Sequence, residues 1–179
     1  MTYGFSNSYD SSWNYNWDNI RKEIKDSVLK VKWNGRLISF VHYEEESNQY
    51  FTQNWIKKYS TISELIKLTD YPKSNIKALA YDALIRKKEV DKFFYLQKAL
   101  KDTLSFVNVS GACFKYEIHL SEYLLKHQLN FTLKDSKDFF GIKKELTLKQ
   151  IKEIDSLYND LKKKENYYKE SVYADEYPI

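Results

Sequence analysis

Residues 65–84 read Leu65-Ile66-Lys67-Leu68-Thr69-Asp70-Tyr71-Pro72-Lys73-Ser74-Asn75-Ile76-Lys77-Ala78-Leu79-Ala80-Tyr81-Asp82-Ala83-Leu84, and this stretch decides the fold class. Thr61 and Glu64 form a Thr-x-x-Glu capping box just upstream, which opens a helix carrying Ile62, Leu65, Ile66 and Leu68. Pro72 disfavours helical geometry at Tyr71, so that helix stops before it. Ser74 is placed to cap a second helix. Its apolar set, Ile76, Leu79, Ala80, Ala83 and Leu84, recurs at i, i+3, i+4, i+7 and i+8. Small residues at Ala80 and Ala83 allow a neighbouring helix to approach closely. A third helix carries Val90, Phe93, Phe94, Leu96 and Leu100.

Upstream, Asp18 is placed to cap a short helix with Ile20, Ile24 and Val28 on one stripe, ending near Ser27. Leu29, Val31 and Trp33 then alternate with lysines, Asn34-Gly35 follows, and Ile38, Phe40 and His42 alternate again. An Asn-Gly pair between alternating runs is a strong hairpin signal, since a type I′ turn needs positive φ at both central residues. A β-hairpin is therefore expected near 28–43. Glu44–Glu46 reads as an acidic loop, followed by a short aromatic helix over about 50–59. Downstream, 106–111 reads as a short extended piece and 116–128 as a helix. Thr147 and Gln150 form a second capping box before a long last helix with Leu148, Ile151, Ile154, Leu157, Tyr158 and Leu161.

The 179 residues fit one domain, expected over 18–165, with a loosely ordered aromatic arm at 1–17 and a frayed tail at 166–179. Trp13 and Trp17 of the arm are expected to pack on the domain. Four Gly and two Pro are too few for a turn-rich β-sandwich. The hydrophobic fraction of 42% supports a core, and 16 Tyr and 10 Phe make that core partly aromatic. A formal charge of +4, from 29 basic and 25 acidic residues, permits acidic partners without demanding them. No run of about 18 apolar residues occurs, so no membrane span is expected. One cysteine, Cys113, excludes an intramolecular disulfide. The N-terminus has no signal-peptide pattern, so the expected location is cytoplasmic, or periplasmic if a leader has been removed.

Motifs of chemistry are sparse. The chain has no G-x-G-x-x-G, no Walker A loop, no Cys-x-x-Cys and no H-E-x-x-H. His119 and Glu122 sit three apart, with His127 and Cys113 nearby in sequence, and neither a metal site nor a thiol nucleophile is assigned to them. Lys73, Lys77, Arg86, Lys87, Lys88 and Lys92 form the densest basic group, interrupted by Glu64, Asp82, Glu89 and Asp91, so nucleic-acid binding is the alternative reading. No enzyme activity, cofactor or catalytic residue is expected; an enzyme without a recognisable motif is the remaining alternative.

Residues 61–102 resemble a HEAT-type helical repeat. In that family a Leu-rich first helix ends at an Asp-x-Pro-like turn, matched here by Leu65, Leu68, Asp70 and Pro72. A second helix then carries an aliphatic–basic pair and buried Ala and Leu, matched by Ile76, Lys77, Ala80 and Leu84. A second unit begins at Phe94, Leu96, Leu100 and Asp102, then departs from the pattern over 105–114. The layout also resembles small uncharacterised proteins of Bacteroidetes-type bacteria, a resemblance that carries no activity. The implied fold is mostly α, a short HEAT-like stack with an N-terminal hairpin. The implied role is non-catalytic protein binding, of immunity or adaptor type. Interfaces favour Tyr, Trp and Arg, so the candidate binding residues are Tyr71, Tyr81, Arg86 and Tyr95.

Overall fold

The computed structural model describes residues 15–31, 37–38, 44–111, 114–128 and 145–163. In chain order these give α1 (Lys22–Lys30), β1 (Leu37–Ile38), α2 (Glu44–Tyr59), α3 (Ile62–Leu68), α4 (Ser74–Ile85), α5 (Lys92–Lys101), β2 (Phe106–Gly111), β3 (Phe114–His119) and the short α6 (Leu120–Glu122). A π-helical segment, Tyr123–Gln128, and α7 (Leu148–Lys162) complete them.

Helix α4 is the centre of the molecule. Asn75, Ile76 and every residue from Ala78 to Ile85 are buried. A helix buried on all sides must be surrounded, and α2, α3, α5, β2 and the π-helical segment all pack on it. Its neighbours Leu65, Leu68, Leu96 and Leu120 are as deeply buried. Lys73, rather than Ser74, is the N-cap residue of α4, without a side-chain cap bond, so Ser74 begins the helix instead of capping it. Ala80 is fully buried, as the Ala-Leu stripe implies. Replacing it with Phe is expected to overpack this centre and lower stability by about 1–3 kcal/mol, read as a lower urea midpoint.

Both capping boxes form. The Thr61 side chain accepts from Glu64 N–H while the Glu64 carboxylate accepts from Thr61 N–H at 2.8 Å. Thr147 and Gln150 do the same for α7. Asp91 caps α5 by accepting from Phe94 N–H at 3.0 Å.

The sheet departs from expectation. The hairpin is β2–β3, not residues 28–43, with antiparallel pairing from Phe106 opposite His119 to Gly111 opposite Phe114. Helix α1 continues to Lys30, so Leu29 is a helical residue and is exposed. The reason is burial: Ile20, Ile24, Val28 and Val31 keep helix-like spacing and are all buried, which outweighs the competing alternation of 29, 31 and 33. Leu37–Ile38 does form a strand, but it pairs in parallel with β2 at Val109 and Ser110. The Asn34-Gly35 turn lies outside the described residues.

Other boundaries shift too. Arg21, not Asp18, precedes α1, and Asp18 sits in a turn whose N–H donates to Asn16 Oδ1. The acidic run at 44–46 starts α2 instead of forming a loop; acidic residues suit the positive end of a helix dipole. The expected helix at 116–128 begins at Leu120, because Phe114, Tyr116 and Ile118 alternate with polar residues as a strand. Trp17 packs as expected, edge-on to Tyr15 with ring centroids 4.8 Å apart. Trp13 and the rest of the arm, and the tail at 166–179, lie outside the described residues. No described helix is long and apolar enough to cross a membrane.

Candidate binding face

The four expected binding residues do not make one exposed surface. Tyr81 is among the most deeply buried side chains. Burial first, and Asp70 second, push its hydroxyl above the ordinary tyrosine value, while a hydrogen bond with Thr69 pulls the other way. Tyr71 is buried in an aromatic group, with its ring centroid 4.8 Å from Tyr15 and 5.6 Å from Trp17. The Tyr15 hydroxyl donates to Lys67 O at 2.8 Å, and burial with Asp70 beside it raises its pKa to about 12. Tyr95 lies half-buried, edge-on to Phe94 at 5.0 Å. Arg86 is held on a fully buried carboxylate, its Nε 2.7 Å from Asp82 Oδ1, and Lys57 Nζ reaches the other oxygen at 3.2 Å.

The basic group is similarly occupied. Lys77 Nζ donates to Asp102 Oδ2 at 2.8 Å and to Ser105 Oγ at 3.0 Å. Lys92 pairs with Glu145. Ser105 Oγ also donates to Asp102, and Asp102 Oδ1 accepts from Ser105 N–H at 3.1 Å. Burial opposes ionisation of Asp102, but the Lys77 and Ser105 hydrogen bonds hold its carboxyl below the usual range. These groups satisfy one another and pin the turn between α5 and β2. Ser105 donates to a carboxylate that Lys77 also holds, so the cluster fixes the chain at this turn.

A second polar anchor ties the chain ends of α1 and α3 together. Glu64 is buried and accepts from Arg21 Nε at 2.9 Å, Arg21 Nη2 at 2.9 Å and the backbone N–H groups of Arg21 and Thr61. Burial disfavours its charge, yet these donors outweigh burial and bring its pKa down to about 2.

His119 ends β3 and caps α6, its Nδ1 2.8 Å from Ser121 Oγ, with the Phe106 ring edge-on at 5.2 Å. Burial holds its pKa below the ordinary value. A base whose folded pKa is depressed gives stability that is present above about pH 6.5, its unfolded value, and lost as pH falls below it. Urea midpoints should therefore drop from pH 7.5 to pH 5.5 by more in the native chain than in His119→Gln. Equal drops would remove His119 as the cause. The proposed neighbours Cys113 and His127 lie outside what the structure describes of side chains. Among the described residues no group of three or more His, Cys, Asp and Glu is placed to hold a metal ion.

The surface that stands out is on α2. Its inward side buries Gln53 and Ile56, and Ser60, just past its end, is buried as well. Its outward side presents Phe51 at 65%, Trp55 at 37% and Tyr59 at 49% exposure. These three recur at i, i+4 and i+8, one line along the helix. Trp55 and Tyr59 rings lie 5.2 Å apart, and Lys58 Nζ sits 5.1 Å from the Tyr59 ring centroid. Among the described residues of α2 the buried side chains are Gln53 and Ile56, while the outward side carries the three aromatic rings beside Asn48 and Lys58. With 150–250 Å² per ring, the exposed part comes to roughly 300 Å², at the lower end of the largest apolar patch on a typical monomer. The sequence carried this signal in the spacing of Phe51, Trp55 and Tyr59. It is read correctly only when α2 is known to bury its other side.

Compared with known proteins, the chain matches no family model, no curated protein and no solved structure.

Proposed function

We propose that this chain is a non-catalytic protein-binding module, of immunity or adaptor type, and that it binds through the aromatic line of α2. The observation that supports this reading most is the line of three exposed aromatic rings along that helix. Leaving Phe51, Trp55 and Tyr59 in water is unfavourable for an isolated domain. A partner that covers the three rings reverses the penalty, and exposed aromatics of this kind concentrate binding energy. The HEAT-like resemblance of 61–102 belongs to the same proposal, since such units act by presenting surfaces.

The test is site-specific photo-crosslinking in cells. A benzophenone side chain is placed at Phe51, at Tyr59 and, as a control, at Leu104, which is 88% exposed. Protein adducts should form at the two α2 positions and not at 104. Adducts that are absent, or equal at all three sites, would overturn the reading.

Nucleic-acid binding is expected to be weak, because Lys77, Arg86 and Lys92 are already in ion pairs. Fluorescence anisotropy with short single- and double-stranded oligonucleotides at physiological salt should give no sub-micromolar binding. Tight binding that falls steeply with salt would reverse that ranking.

A further inference from the structure

We draw no further inference here: the strongest candidate, the exposed line of Phe51, Trp55 and Tyr59 along α2, belongs to the binding face already described, and nothing in the structure shows what covers it.

Discussion

Replacing Lys57 and Arg86 together by methionine is expected to lower stability by about 4 kcal/mol, within the 3–5 kcal/mol typical of leaving a buried charge without its partner. Asp82 sits on the central helix with its side chain fully buried, and these two cations approach its two oxygens at 3.2 and 2.7 Å. Each cation is 28% exposed, so it can recover water when the carboxylate is removed, whereas Asp82 cannot. The loss should therefore be asymmetric. A further Asp82→Leu change in the double variant should restore a large part of it, because an apolar group of similar volume needs no counter-ion. Urea unfolding of the double and triple variants measures this. If the triple variant is no more stable than the double, the cost lies in lost packing of the Lys57 and Arg86 stems and not in a stranded charge.

Glu64→Ala is expected to cost about 3 kcal/mol. The carboxylate accepts hydrogen bonds from the Arg21 side chain and from two backbone N–H groups, and the change removes that acceptor, leaving Arg21 Nη2 its bond to Tyr59 O at 2.6 Å. The guanidinium is half exposed, with 53% of its side chain accessible, and water recovers part of its loss, which keeps the figure at the low end for a buried pair. The same bonds fix the pH dependence. A carboxyl whose pKa falls from 4.5 to about 2 contributes stability that is complete above about pH 5 and lost as pH drops toward 2. Stability measured from pH 6 to pH 2.5 should fall less in Glu64→Ala than in the native chain. Parallel curves would mean that another carboxylate governs acid unfolding.

Local chemistry was legible in the sequence wherever it was decided within a few residues. The capping boxes at Thr61 and Thr147, the break before Pro72 and the apolar stripe from Ile76 to Leu84 all lie where their residue types place them. The hairpin at 28–43 was misread because Leu29, Val31 and Trp33 alternate locally while Ile20, Ile24, Val28 and Val31 share a helical side. Only tertiary burial decides between two such periods, and it favours the helix as far as Lys30. The strand Phe114–His119 had its own alternation, but the apolar positions that follow it, Leu120, Tyr123 and Leu124, drew the expected helix boundary upstream.

The candidate site was harder to read. Tyr71 and Tyr81 fell outside a stripe drawn for one contact, and α4 makes contacts all round, so Tyr81 is as buried as the stripe itself. Ala78, Tyr81 and Ile85, apolar on the remaining sides of α4, were the available hint. For α2 the opposite holds: its aromatic line looks like a core stripe until Gln53 and Ile56 are seen to face inward.

The central claim is that Phe51 and Tyr59 are held out of the core for a partner. The urea midpoint of Phe51→Gln, Tyr59→Gln at low micromolar concentration tests this most directly. Rings that face water make little contribution to the monomer, so stability should stay within about 1 kcal/mol of the native chain. A loss of about 3 kcal/mol or more, the range for removing a buried aromatic ring, would place these side chains in the core and contradict the account.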